Sequence, residues 1–208
     1  MQNDIDNIDK TYNDNSIIND SLNSFTSENS TKYYEFSSEN ENEEECLSLK
    51  NQKLISTISN VLENIVDKYK YNKVDNEKFP LIKTFYSYDI PEISIKDYLT
   101  RILFYSKCEI NSLILSLYYL DRLYIKDIPI NKHYIHKLLF SSILLSIKYN
   151  EDIIYQNDYY CQIFGVSLKE LNLMEYNFFI LLDYKFFIND EIYEEYKKGL
   201  NLEYMEKY

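Results

Sequence analysis

The chain contains little glycine and little proline: two glycines and three prolines among 208 residues. Glycine reaches positive φ without steric cost, so tight turns and phosphate-binding loops depend on it. A β-sandwich, a dinucleotide-binding fold or a P-loop fold is therefore strongly disfavoured. Hydrophobic residues make up 45% of the chain, which is enough for a globular core. We expect an all-α protein.

Long apolar runs and secretion features are also missing. No stretch of eighteen or more uncharged apolar residues occurs, and the N-terminus, MQNDIDNIDK, lacks the basic-then-apolar layout of a signal peptide. The three cysteines, Cys46, Cys108 and Cys161, are widely spaced and odd in number, which favours reduced thiols over a disulfide framework. We therefore expect an intracellular protein, in the cytoplasm, the nucleus or both, with no membrane partner.

Basic residues are outnumbered, and the excess acid is concentrated at one end. Residues 1–50 contain twelve of the 34 acidic residues but only three of the 22 basic ones. This segment, rich in Asn, Ser, Asp and Glu, buries too little apolar area to offset its ordering entropy, so residues 1–50 are predicted to be a disordered acidic tail. Residues 51–208 form one nearly neutral domain, without the basic surface that nucleic-acid binding requires.

A helical period of 3.6 begins abruptly at Lys53 and predicts an amphipathic helix over about residues 52–71. A connector follows as far as residue 93. Ser94 and Ser167 are predicted N-caps, and Gly165 is suited to a positive φ between two helices. The remaining helices are expected at residues 94–106, 110–125, 131–149, 157–164, 167–183 and from 189 to as far as 204.

The sequence offers few groups for catalysis. His133 and His136 lie three apart on one helical face, but no nearby Cys, Asp or Glu supplies convincing further ligands, so a metal site is disfavoured. The motifs of a nucleophile elbow and of a glycine-rich phosphate loop do not occur, and no acid pair marks a cleft. We predict that the chain is not an enzyme, needs no cofactor and has no small-molecule substrate.

Four apolar helices each carry a nearly isolated charge: Arg101, Asp121 (next to Arg122), Lys148 and Glu175. An ionised group on a core-facing stripe is costly unless it is paired or hydrogen-bonded. These residues therefore require partners, either inside the fold or on another protein. For Lys148 the alternative is a helix-end cation favoured by the helix dipole, and for Glu175 it is an internal pair with Lys148.

Eight short segments, in order along the chain, carry a family resemblance. They are FYS at 85–87, PEISIKDYLTRI at 91–102, YLDR at 119–122, HKLL at 136–139, LSIKYNED at 145–152, YQN at 155–157, GVSLKELNLME at 165–175 and LDYKF at 182–186. Together they resemble a cyclin box, in particular that of the single-box P-type (phosphate-signalling) cyclins. The resemblance implies a five-helix cyclin fold, with its core at about residues 92–188, an added N-terminal helix and a C-terminal helix.

The resemblance also assigns roles to the isolated charges. It implies a buried structural ion pair between Arg101 and Asp121, which would lock the first two helices of the box together. Lys148 and Glu175 match the lysine and glutamate with which cyclins hydrogen-bond to the main chain of the kinase C-helix region. Apolar positions carried over to the same kinase-binding patch are Leu145, Tyr149, Phe179, Tyr184 and Phe186.

The function implied is that of a regulatory subunit that activates a cyclin-dependent kinase, whose catalytic subunit is the expected partner, in cell-cycle or phosphate signalling. Such a cyclin performs no chemistry itself and biases the kinase toward its active state. One alternative is a cyclin-fold adaptor that binds a partner without activating any kinase. A second is a phosphorylation-regulated interaction protein in which the acidic tail is the working part.

Overall fold

The helical periodicity of the sequence is realised in a computed structural model, which describes residues 42–68, 79–128 and 130–200, with side chains from residue 51 onward. These ranges contain helices and no β-strand, which confirms the all-α prediction. The helices are α1 (Asn42–Lys68), a 3₁₀ helix (Pro80–Phe85), α2 (Ile95–Ser106), α3 (Ile110–Ile125), α4 (Ile135–Asn150), α5 (Asn157–Phe164), α6 (Leu168–Leu181) and α7 (Asp190–Gly199).

The predicted helix starts agree with the caps. The Ser94 hydroxyl accepts a hydrogen bond from the Asp97 backbone N–H at 3.0 Å, and the Ser167 hydroxyl accepts one from that of Glu170 at 3.2 Å. Gly165 ends α5 with a φ of 71°, as expected for a left-handed C-cap. Local capping chemistry was therefore sufficient to predict these boundaries.

The structure differs from the prediction in the starts of two helices and in the connector. Helix α1 begins at Asn42, so residues 42–50, predicted to be disordered, are helical. A turn at residues 132–134 delays α4 to Ile135, and the predicted connector contains the 3₁₀ helix. The rest of the predicted tail (1–41), residues 69–78 and the predicted helix end beyond residue 200 lie outside the described residues.

Helices α3 and α4 form the centre of the domain. They pack against each other and are buried on nearly all sides, as their continuous apolar character indicates. Their buried serines satisfy their own hydroxyls: Ser116 donates to the Leu113 carbonyl and Ser146 to the Ile143 carbonyl, at 2.7 and 2.8 Å. Small side chains bonded in this way let two helices pack closely without an unsatisfied polar group.

The other helices surround this pair. Helix α1 packs on α2, α5 and α6 pack on each other, α6 also contacts α4, and α7 packs on α3. The five helices α2 to α6 thus match the number expected of the box, with α1 and α7 at either end. No helix in the described ranges is both long enough and apolar enough to cross a bilayer.

Candidate functional site

Helices α4 and α6 bring Lys148 and Glu175 together at the surface. The Lys148 Nζ atom lies 2.6 Å from Glu175 Oε1, and the two side chains are 23% and 17% exposed. In the free chain they therefore form an ion pair with each other, which is the internal pairing that the sequence left open. The pair is partly exposed, so a partner can reach it.

A third residue, Asn157, completes this polar group. Its Nδ2 atom donates to Glu175 Oε2 at 2.9 Å and to the Asn172 side-chain oxygen at 2.7 Å. Asn157 is the first residue of α5, so that helix fixes the second carboxylate oxygen while Lys148 fixes the first. Sequence reasoning included Asn157 in the resemblance but assigned it no role, because its approach to Glu175 depends on the packing of α5 on α6.

Aromatic residues lie near the ion pair: Tyr149 follows Lys148 on α4, Phe179 lies one turn after Glu175 on α6, and the Tyr184 backbone N–H donates to the Phe179 carbonyl at 3.1 Å. Tyr149 and Tyr184 are 51% and 60% exposed, and Phe179 and Phe186 are half-buried. The Phe186 ring lies 4.8 Å from the Phe179 ring and 6.1 Å from the Tyr149 ring, between centroids, so these rings form one cluster. We call the six residues Lys148, Tyr149, Glu175, Phe179, Tyr184 and Phe186 the Lys–Glu surface.

Leu145, the remaining residue predicted for this patch, does not lie on it. The side chain is only 3% exposed and belongs to the hydrophobic core. Leu145 stands one turn before Lys148 and Tyr149 on α4, and the burial of that helix on nearly all sides places it inside. Its predicted surface role is wrong, whereas Phe187, which was not predicted, is exposed next to Phe186.

The predicted ion pair between Arg101 and Asp121 is also wrong. Arg101 is exposed on α2, and its guanidinium donates to the Gln162 carbonyl of α5 at 3.0 Å. Asp121 is fully buried in α3 and accepts a hydrogen bond from the Tyr196 hydroxyl of α7 at 2.6 Å. The buried stripe of α2 runs beside Arg101 rather than through it, so a charge-free neighbourhood did not mean a core-facing side chain.

The two histidines serve the fold. His133 Nδ1 donates to the Ser87 carbonyl at 2.9 Å, and His136 Nε2 donates to the Ile93 carbonyl at 3.0 Å. Burial raises the pKa of the Cys108 thiol, and the Glu151 charge raises it further, so this thiol stays protonated. Among the described residues, His, Cys, Asp and Glu side chains form no group of three suited to a metal ion.

An ion pair beside clustered aromatic rings, on a rigid helical scaffold, is the composition of a protein-binding surface, where aromatic anchors and charge-assisted hydrogen bonds carry most of the affinity. The fold and site thus define a helical protein-binding domain.

Comparison with known proteins identifies the family of this domain. The family model described as Cyclin matches residues 10–186. Cyclin-U4-1 of Arabidopsis thaliana is 29% identical over 73% of this chain and 76% of its own length. The PHO85 cyclin-like protein psl1 of Schizosaccharomyces pombe is 31% identical over 76% of this chain and 70% of its own length. Cyclin-P3-1 of Oryza sativa is 29% identical over 58% of this chain and 52% of its own length.

The chain belongs to the cyclin family, and the predicted resemblance to cyclins that include the P-type is confirmed. Its function is that of a regulatory subunit of a cyclin-dependent kinase. Cyclins are regulatory subunits rather than enzymes, which agrees with the few catalytic groups found in the sequence.

Proposed function

We propose that the chain activates a cyclin-dependent kinase by docking the Lys–Glu surface on the kinase C-helix. The observation that carries the proposal is the Lys148–Glu175 ion pair, held at the surface of two helices with exposed aromatic residues nearby. Cyclins as a class regulate such kinases, and the resemblance carries these two positions over to contacts with the main chain of the C-helix region.

The chemistry of the pair suits a backbone partner. The Lys148 ammonium has three N–H donors, and its bond to Glu175 uses one of them. The Glu175 carboxylate has about four acceptor sites, of which Lys148 and Asn157 occupy two. The remaining donors meet exposed backbone carbonyls in the kinase C-helix region, and the remaining acceptors meet exposed backbone N–H groups there. Such charge-assisted bonds are directional, so they set the register of the complex while the aromatic rings supply buried area.

Activation follows from binding one kinase conformation better than another. A kinase requires its C-helix in place so that the Lys–Glu pair aligning the ATP phosphates can form. The Lys–Glu surface contacts the C-helix only when that helix is positioned inward, so binding shifts the population toward the active state. A shift from 1:99 to 99:1 takes about 5.5 kcal/mol of differential affinity, which a few charge-assisted bonds and two buried aromatic anchors supply.

A charge-swap variant tests the proposal. In Lys148→Glu/Glu175→Lys the two side chains still form an ion pair with each other, and Asn157 satisfies a lysine at 175 by turning its amide oxygen toward it. Each charge, however, now faces kinase groups of the wrong polarity. We expect the swap to retain the fold and to lose at least about a hundredfold in kinase affinity, with loss of activation. The measurements are binding to a panel of purified cyclin-dependent kinase catalytic subunits and phosphorylation of histone.

The chain contains a second partly exposed ion pair that serves as a control, although its lysine also donates to the Tyr86 carbonyl, at 3.2 Å. Lys137 and Glu170 join the same two helices, with a 2.8 Å Nζ–Oε1 distance and side chains 22% and 37% exposed. The swap Lys137→Glu/Glu170→Lys should leave kinase affinity and histone phosphorylation at wild-type levels. Wild-type activation by the folded Lys148→Glu/Glu175→Lys protein would overturn the proposed docking surface. Tight binding by the wild type without histone phosphorylation would instead favour the adaptor.

A further inference from the structure

The segment after α6 carries two residues of the Lys–Glu surface on irregular backbone. Tyr184 and Phe186 lie between the end of α6 at Leu181 and the start of α7 at Asp190. Asp183 and Tyr184 have φ values of 53° and 57°, in the left-handed region that non-glycine residues rarely adopt. Such a conformation persists only where surrounding contacts hold it in place.

Some of those contacts come from α6 and α4: the Tyr184 backbone N–H donates to the Phe179 carbonyl at 3.1 Å, and the Phe186 ring packs on Phe179 and Tyr149. A further set comes from α3 and the residue directly after it. Three side chains of α3, and that of Lys126 directly after it, donate hydrogen bonds to backbone carbonyls in residues 181–187. Tyr118 donates to Phe187 at 3.3 Å, Tyr119 to Phe186 at 3.1 Å, Arg122 to Lys185 at 2.5 Å and Lys126 to Leu181 at 2.6 Å. We call these four residues the α3 donors.

Further contacts hold the α3 donors in place. The Arg122 guanidinium lies 5.7 Å from the centre of the Tyr118 ring, and the Lys126 ammonium lies 2.5 Å from the Asp183 carboxylate. Burial raises the pKa of Tyr119, so its hydroxyl remains a donor at any physiological pH. The Tyr119 ring itself contacts that of Phe186, at 6.3 Å between centroids. The polar face of α3 therefore acts as a template for the segment.

We propose that Tyr118, Tyr119, Arg122 and Lys126 are positioning residues for kinase binding: they hold residues 181–187 in the conformation that presents Tyr184 and Phe186 on the Lys–Glu surface. This inference rests on the proposed function. Tyr118, Tyr119 and Arg122 are buried, so they act through the segment and not by touching the kinase. Lys126 is partly exposed and acts through its bonds to Leu181 and Asp183.

Arg122→Gln and Tyr119→Phe test the proposal. The second change removes only a hydroxyl and keeps the ring that packs on Phe186. In Arg122→Gln, hydrogen exchange of the full chain without kinase should accelerate about tenfold at residues 182–188, and kinase affinity should fall by a similar factor. Tyr119→Phe should change both quantities in the same direction. Arg122→Lys, which keeps a cationic donor, should recover part of both losses.

A second comparison separates positioning from general stability. Tyr196→Phe also removes a buried hydroxyl that bonds to α3, at Asp121, but it leaves residues 181–187 untouched. It should lower the unfolding temperature and leave kinase affinity unchanged. In a Tyr184→Ala/Phe186→Ala background, Arg122→Gln should cost little further affinity, since the side chains that the segment presents are gone.

Three results would count against the inference: unchanged exchange at residues 182–188, accelerated exchange with wild-type affinity, or an undiminished effect in the Tyr184→Ala/Phe186→Ala background. In each of these cases the wild-type protein still binds a kinase, so the proposed function would stand while this inference fails. Failure of the wild type to bind any kinase in the panel would instead overturn the proposed function and this inference with it.

Discussion

Burial and bonding at single residues decide what each polar side chain does. Asp121 is fully buried and bonded to the Tyr196 hydroxyl, whereas Arg101, which is also flanked mainly by uncharged residues in the sequence, is exposed. His136 is an intermediate case, because Nε2 is bonded to Ile93 while the buried Nδ1 atom has no hydrogen-bond partner within the part of the chain that the structure describes. An unpaired ring nitrogen in a buried site makes protonation costly, since the added N–H would have no acceptor.

His136 should therefore make stability depend on pH. Burial lowers its pKa below the ordinary 6.5, so the unfolded chain takes up a proton before the folded chain does. Stability is fully present above the unfolded pKa and falls as pH drops through about 6.5 toward the lower folded pKa. His136→Gln, which keeps a donor for the Ile93 carbonyl and does not titrate, should flatten this part of the profile. Urea unfolding of both proteins across this pH range measures the difference, and parallel profiles would refute the assignment.

Helices support one another through their ends. Glu151 follows the last residue of α4, and its Oε1 atom accepts from the Glu109 backbone N–H at 3.0 Å and from the Ser112 hydroxyl at 2.6 Å. Glu109, the N-cap residue of α3, makes no side-chain capping bond. A carboxylate from one helix thus caps the start of its neighbour, where negative charge is favourable. The same contact fixes the end of α4 that carries Lys148 and Tyr149.

Removing this cap should weaken the α3–α4 pair. Glu151→Gln keeps the shape but loses the charge, and we expect about 1 kcal/mol less unfolding free energy, rising to about 2 kcal/mol for Glu151→Ala. Urea denaturation gives the values. Asp152→Asn makes the same chemical change at the next, exposed residue and should stay within about 0.5 kcal/mol of the wild type. Equal effects at the two positions would show that Glu151 contributes only general charge.

For the whole molecule, α1 contributes more buried apolar side chains to the core than α2, on which it packs. Leu54, Ile58, Val61, Leu62 and Ile65 of this helix are buried, and α1 packs on α2. The family match likewise extends from residue 10 to residue 186 and includes all of α1. Helix α1 is therefore part of the packed domain, as its prediction as an added N-terminal helix requires.

Shortening a buried side chain of α1 should destabilise the whole domain. Leu62→Ala should lower the free energy of unfolding by about 2–5 kcal/mol, as for other fully buried leucines, which urea denaturation measures.

Deleting residues 1–41 should leave the unfolding temperature and kinase activation unchanged, since the acidic segment is predicted to contribute neither core nor docking surface. Thermal unfolding and histone phosphorylation measure the two properties. Loss of activation by a folded 1–41 deletion would favour the alternative in which the acidic tail is the working part.

Helix positions could be predicted because they depend on local chemistry: apolar spacing and caps such as Ser94 and Ser167 involve residues within one or two turns. Lys148 and Glu175 were selected by the resemblance of the ordered short motifs, and their contact with a kinase stays a prediction. The start of α1 at Asn42 escaped prediction because residues 42–50 lack apolar periodicity, and Leu145 was misplaced because a helix buried on nearly all sides has no outward apolar face.

Contacts between distant residues required the packed structure. Asn157 reaches Glu175 because α5 packs on α6, Asp121 finds Tyr196 rather than Arg101 because α7 packs on α3, and the α3 donors meet carbonyls more than fifty residues away. A backbone carbonyl has no signature in the amino-acid sequence, since every residue carries one. Composition and periodicity therefore specified the helices, while the pairing of each polar group was settled by which surfaces came together.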